Sequence, residues 1–237
     1  MSVKKNKIGI VGWKTGDNSF GVTLAYLKYF SYLGDVVVLG VNDNIVEDLD
    51  LLVLPGGKDV NPLRYGQKPD LWCGDQNLWL EHFDVNILPK YIDNGTSIIG
   101  ICRGLQTINT HFKGTLEQHL YNHPTSKSDE RYQLVHDVLQ VTADRNSGQY
   151  TTMLNHFEGA DVKFEVNSLH HQAIDKLGEE LEVLARRSVR KQGKDYLYEI
   201  EAIRHKTLPI GAVQWHPEEI YDDFSAELIK SLLNNQR

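Results

Sequence analysis

The chain of 237 residues is 41% hydrophobic and 24% charged, which suits a globular fold with a sizeable apolar core. Its net charge of −7 excludes a general nucleic-acid-binding surface, which needs a basic stripe. Two cysteines, Cys73 and Cys102, make no disulfide framework and point to a reducing compartment.

In chain order, the basic stretch from Met1 to Lys7 precedes an apolar run, Ile8 to Trp13, that is too short for a signal sequence. No run approaches the roughly 18–20 apolar residues of a membrane span. The expectation is a soluble, cytoplasmic chain with neither membrane nor nucleic acid as partner. Ile8-Gly9-Ile10-Val11-Gly12 predicts a buried strand, and Val22, Leu24, Ala25, Leu27, Tyr29, Phe30 and Leu33 predict a helix from about Phe20 to Leu33. Asp35 to Gly40 and Leu51 to Leu54 read as further buried strands, the second ending in Pro55-Gly56-Gly57. Apolar spacing from Leu78 to Leu88 predicts a helix that Pro89 kinks or ends.

Ser97-Ile98-Ile99 then predicts a strand that turns at Gly100-Ile101-Cys102-Arg103-Gly104 into a helix beginning near Leu105. A strand reversing into a helix within one residue strains that residue's backbone and needs small neighbours. The pattern is the cysteine analogue of the G-x-S-x-G nucleophile elbow. Its position at a helix N-terminus favours the thiolate form of Cys102. The plainer reading is a buried structural cysteine.

His119 to Arg131 reads as a polar surface excursion. Short strands follow at Leu134 to Val141, Val162 to Val166, Leu181 to Ala185, Leu197 to Ile203 and Ile210 to Trp215, so some pairing is antiparallel. A last helix is expected from Pro217 or Glu218 to Leu233. Strands alternating with helices in the first half indicate a parallel sheet with crossover helices. Residues 1–237 read as one mixed-sheet α/β domain.

Three stretches could join Cys102. In Gln214-Trp215-His216-Pro217-Glu218, extended backbone sends His216 and Glu218 to the same side, and Pro217 favours that form. A thiol nucleophile needs a base and a carboxylate that orients it, roles His216 and Glu218 would fill. Alone, they are also a surface histidine and a helix-start acid. Gly56-Gly57 would let backbone N–H groups approach an oxyanion, or is simply a turn. Asn167-Ser168-Leu169-His170-His171-Gln172 is dense in polar groups. Adjacent histidines on a strand point to opposite faces, and His119 and His123 lack a partner motif, so no metal site is expected. Cys73 reads as structural.

Taken together, Leu54-Pro55-Gly56-Gly57, Gly100-Ile101-Cys102-Arg103-Gly104-Leu105-Gln106, Asn167-Ser168-Leu169-His170-His171-Gln172 and Gln214-Trp215-His216-Pro217-Glu218 resemble the class I glutamine amidotransferase superfamily. Within it, the chain is most similar to the γ-glutamyl-γ-aminobutyrate hydrolase (peptidase C26) group, over about Ile8 to Glu219. The resemblance implies a flavodoxin-like, three-layer α/β/α sandwich, mainly parallel, with antiparallel additions in the second half. It implies hydrolysis of a γ-glutamyl amide through a thioester, with Cys102 as nucleophile, His216 as base then acid, and Glu218 as orienting acid. It further implies an oxyanion hole from the N–H groups of Gly57 and Arg103. Gln106 would help hold the glutamyl end, with the Ser168 to Gln172 stretch, including His170 and His171, lining the substrate pocket.

No metal or organic cofactor is implied. The alternative is a glutaminase that delivers ammonia to a separate synthetase partner. Dimerisation is common among compact enzymes, so a homodimer is compatible with a sequence that carries no interface signal. His171, Lys58 and Lys113 depart from the family pattern, and Leu80-Glu81-x-x-Asp84 matches its Arg-Asp-x-x-Glu only loosely, which leaves the leaving amine open.

Overall fold

The computed structural model describes residues 5–16, 19–41, 45–141, 162–189 and 197–234. The first part runs β1 (Asn6–Val11), β2 (Trp13–Gly16), β3 (Ser19–Gly21), α1 (Leu24–Ser31), β4 (Gly34–Leu39) and β5 (Leu51–Leu54). Next come α2 (Leu78–Asn86), α3 (Leu88–Asp93), β6 (Ile98–Ile101), α4 (Arg103–His111) and β7 (Thr115–Glu117). The second part runs β8 (His136–Gln140), β9 (Lys163–Val166), β10 (Ala173–Lys176), β11 (Leu181–Val189), β12 (Leu197–His205) and β13 (Ile210–Val213), then α5 (Pro217–Ile220) and α6 (Asp223–Asn234).

Among the described residues, nine strands form one sheet in the order β4-β1-β5-β6-β13-β12-β11-β8-β9. The neighbours from β4 to β13 pair in parallel. The neighbours from β13 to β9 pair antiparallel. Strand alternation sorts the core into two layers. Ile8, Ile10, Leu51, Val53, Ile99 and Ile101 pack with Tyr26 and Phe30 of α1 and Leu228 and Ile229 of α6. Val11, Leu52, Leu54 and Ile98 pack on the other face with Leu80, Phe83, Leu88, Leu105 and Ile108 from α2, α3 and α4. This is the three-layer α/β/α arrangement, with the sheet's parallel half carrying most of the helices.

Four elements differ from the sequence expectation. The helix expected from Phe20 begins at Leu24, because Ser19–Gly21 pairs with Trp13–Gly16 as a hairpin and Phe20 packs on the Trp79 ring. β4 is an edge strand rather than a buried one, with Val37 and Val38 partly exposed. The last helix is two helices, since Tyr221 is left-handed at φ 58° and Asp222 starts a new one by accepting from Ser225 N–H at 2.8 Å. The excursion from His119 to Arg131 is not wholly superficial. Leu120 N–H bonds His171 O, Ser126 N–H bonds Ser168 O, and the His123 side chain is buried. α2 does end before Pro89, which occupies the first turn of α3.

Close approach explains the elbow glycines. A Cβ on Gly104 would overlap the Leu54 carbonyl oxygen, and one on Gly100 would lie 2.7 Å from Gly104 backbone and from Ile108 Cδ1. Glycine at both positions lets α4 lie directly on β5 and β6. Lys113 adopts φ 66°, the left-handed region where glycine is unstrained.

Candidate active site

Cys102 ends β6 and starts α4 at φ 53°, ψ −105°, a conformation that costs an L-residue strain and that an elbow uses to lift its side chain clear of the strand. Its N–H donates to Val213 O at 2.9 Å, and its carbonyl accepts from Leu105 N–H at 3.0 Å, so both neighbours of the turn are pinned. His216 follows β13, the strand beside β6, which is why positions 102 and 216 meet at the same sheet end. A Cβ on Gly56 would stand 2.8 Å from His216 Cε1 and 3.5 Å from Cys102 Cβ. The missing side chain at Gly56 therefore leaves the space in which imidazole and thiol come together.

His216 Nδ1 donates to Glu218 Oε1 at 2.7 Å, and both side chains are buried. That bond puts the second nitrogen, Nε2, on the side of the thiol. Nε2 has no partner in hydrogen-bonding geometry, yet the Cys102 sulfur is close enough for its charge to act on the ring. Burial alone would lower the His216 pKa, but the charges of Glu218 and Cys102 outweigh it and raise it to about 10.

Two positioning groups had no individual role assigned from the sequence, although Asn167 opens one of the motif stretches. Asn167 is fully buried, accepts from His216 N–H at 3.0 Å and donates to Arg131 O at 2.7 Å, so it fixes the backbone that carries the imidazole. Tyr26 OH accepts from Gly56 N–H at 2.8 Å, and burial together with the Glu218 charge holds the phenol protonated. Tyr26 lies on α1 among apolar residues, and no motif in the sequence marks it.

Gly57 and Arg103 lie together: a Cβ on Gly57 would be 3.1 Å from Arg103 Cδ. Among the described residues neither backbone N–H donates to another group. The Arg103 side chain turns the other way, into a buried network with Glu81 (2.6 Å), Asp84 (2.8 Å) and Thr107 (3.2 Å), which Arg64 shares at Asp84. The loosely matching Leu80-Glu81-x-x-Asp84 thus anchors the start of α4. Lys58 points away to Asp75 on the surface.

The polar loop after β9 divides. Gln106 Nε2 reaches Gln172 O at 3.2 Å and Gln214 Oε1 at 3.3 Å. Gln172 Nε2 and His171 Nε2 both meet the Asp59 carboxylate at 3.0 Å, which ties this loop to the Gly56-Gly57 turn. The bond to Asp59 raises the His171 pKa despite partial burial. On its outer side His171 meets His119, which stacks on Trp72. Ser168 and His170 face inward instead. Ser168 Oγ lies 2.9 Å from His123 Nε2, and His170 Nδ1 donates to Gln172 O at 2.9 Å.

There they join a second buried cluster that the sequence spacing did not suggest. One nitrogen each of His123, His136 and His170 lies within 4.8 Å of the others. His136 belongs to β8, paired through β11 to β12, which brings Glu199 and Glu201 alongside. Burial first, and then the neighbouring His123, lower the pKa of His136 to about 4 and that of His170 as well. Burial and the Glu199 charge raise Glu201 to about 8.

Comparison with known proteins identifies the family and the fold. The family model for peptidase C26 matches residues 37–218. The chain is 30% identical over 200 residues to the glutamine amidotransferase-like protein YvdE of Lactococcus lactis, covering 82% of this chain and 79% of that one. It is 28% identical over 196 residues to a component of the glutamine-hydrolysing GMP synthase of Archaeoglobus fulgidus, covering 82% and 85%. Among solved structures, a glutamine amidotransferase from Thermotoga maritima superposes with a TM-score of 0.60 at 12% identity, covering 98% of this chain and 84% of that one; this likeness is one of fold.

Proposed function

The chain belongs to the peptidase C26 family, within the class I glutamine amidotransferase-like superfamily, and from that premise we propose that it hydrolyses γ-glutamyl amides through a thioester on Cys102. One observation carries the reading. The strained Cys102 elbow stands beside a buried imidazole whose far nitrogen is held by Glu218 and whose near nitrogen has no other partner.

In this mechanism His216 Nε2 takes the Cys102 proton, and the thiolate attacks the γ-carbonyl carbon. The carbonyl oxygen becomes an oxyanion against the N–H groups of Gly57 and Arg103. Collapse expels the amine, which takes the proton from His216, and leaves a γ-glutamyl thioester. His216 then deprotonates water, which attacks the thioester; glutamate leaves and the thiol is restored. Glu218 holds the Nδ1–H tautomer and stabilises the imidazolium throughout. In this reading Gln106 and Gln172 help hold the glutamyl end, while His171, beside His119 and Trp72, faces the departing amine.

The test is a panel of γ-glutamyl amides of different amines, with kcat/KM compared against glutamine, and mass spectrometry of the quenched enzyme. A glutamyl adduct on Cys102 is expected. Full turnover by Cys102→Ala would overturn the mechanism. Similarity to a component of a GMP synthase favours a second reading, a glutaminase feeding a separate synthetase. Hydrolysis of glutamine that appears only when a synthetase is added would select it.

A further inference from the structure

We propose that His123, His136 and His170 bind a divalent transition-metal ion of the zinc class, inside the fold and apart from the Cys102 thiol. The site stands independently of the proposed hydrolysis. The three residues come from separate segments: the loop before β8, the start of β8, and the loop between β9 and β10. Their donor nitrogens converge within 4.8 Å. Nitrogens on a tetrahedral zinc at ordinary bond length stand about 3.4 Å apart, so the rings need to draw in by about an ångström.

The hydrogen bond of His170 already sets the tautomer that a metal requires. His170 Nδ1 lies 2.9 Å from Gln172 O, which can only accept, so the proton is on Nδ1 and the lone pair on Nε2. That Nε2 is buried and has no partner. His123 Nδ1 lies 3.0 Å from the Glu199 carboxylate and 3.3 Å from Arg187 Nη1, which itself bonds Glu199 at 2.7 Å. With its proton on Nδ1 toward Glu199, the His123 lone pair is on Nε2, where it meets the Ser168 hydroxyl, which can rotate away. Backbone carbonyl or carboxylate behind each ligating imidazole is the usual outer arrangement of a metal site.

His136 strengthens the case. Both of its ring nitrogens are buried without a partner, and so are both oxygens of Glu201, one of them 3.9 Å from His136 Nε2. Five unpartnered polar atoms in one buried cluster, on neutral imidazole nitrogens and a carboxyl group, describe a cradle for a cation. Neutral imidazole suits zinc and its first-row neighbours, and Glu199, Glu201 and Arg187 leave the surroundings with one net negative charge when both acids are ionised. The ion would pin the loop of Asn167 and Gln172, both of which touch the Cys102 and His216 surroundings.

The experiment uses the full chain carrying Cys102→Ala, so that the active-site thiol is not a ligand, stripped of metal by chelator. Titration with Co²⁺ is followed by visible absorption. One Co²⁺ per chain is expected, with the intense bands of a low-coordinate, nitrogen-ligated ion, displaced by one equivalent of Zn²⁺. His136→Ala and His170→Ala should each weaken binding at least about 100-fold, and Glu199→Gln about 10- to 100-fold, with unchanged circular dichroism. If a histidine variant fails to fold, Glu199→Gln and the parent titration decide. No stoichiometric binding by the parent overturns the proposal. So does undiminished affinity in the folded variants, or a sulfur-to-cobalt charge-transfer band, which would place the ion on Cys73.

Discussion

Two buried histidine clusters share one loop and behave oppositely. At the sheet end, His216 is fully enclosed yet its pKa is raised to about 10. A few residues along the loop that contacts it, His170 is as enclosed and its pKa is lowered, and His136 falls to about 4. Burial penalises the imidazolium in all three. What differs is the company: His216 has Glu218 at 2.7 Å and the Cys102 sulfur close by, whereas His136 and His170 face His123 and each other. Anions in contact decide which buried histidine can carry a proton during turnover and which presents a lone pair.

The sharpest break in this contrast is removal of the thiol. Cys102→Ala should lower turnover of a γ-glutamyl amide by about 10⁴-fold or more while the thermal midpoint stays within a few degrees. Steady-state assay and calorimetry on the same preparation check it. Next, Glu218→Gln removes the main anion beside His216. A loss of about 10²- to 10⁴-fold in kcat is expected, and the alkaline limb of the pH–rate profile should move to lower pH because the imidazolium is no longer held. His216 also sets a stability window. Its folded pKa lies above the unfolded value of about 6.5, so its stabilisation is complete below pH ~6.5 and is lost as pH rises through 10.

Asn167→Ala leaves the His216 N–H without its acceptor in a buried place. It should cost about 1–3 kcal/mol of stability in urea unfolding, with a fall in kcat and little change in KM. The other cluster is read through stability alone. In chelator-treated protein, His136 binds a proton at about pH 4 folded and about pH 6.5 unfolded, so the unfolded chain gains protons first. Stability should therefore fall as pH drops from 6.5 through 4. In His136→Gln that limb should flatten by up to about 3 kcal/mol, read from urea midpoints across the range.

Legibility followed locality. Gly100-x-Cys102-x-Gly104 and His216-Pro217-Glu218 each span five residues or fewer, and their geometry follows from backbone sterics and the two-residue period of extended chain. The buried strands of the parallel half show as short apolar runs for the same reason. Phe20 was less legible, because an apolar residue beside a helix carries the same pattern as one inside it. The break at Tyr221 depends on Asp222, whose side chain also accepts from the buried Trp215 Nε1 at 3.0 Å, a partner seven residues away.

By itself the sequence determined the α/β class, the elbow and the pairing of His216 with Glu218, since each rests on interactions between near neighbours in the chain. Only the tertiary structure decided that Asn167 and Tyr26 support the site, that Arg103 turns into the Glu81 and Asp84 network, and that His123, His136 and His170 meet. Those contacts join segments far apart in the chain, and the last of them forms only once the antiparallel half of the sheet has set β8, β11 and β12 side by side.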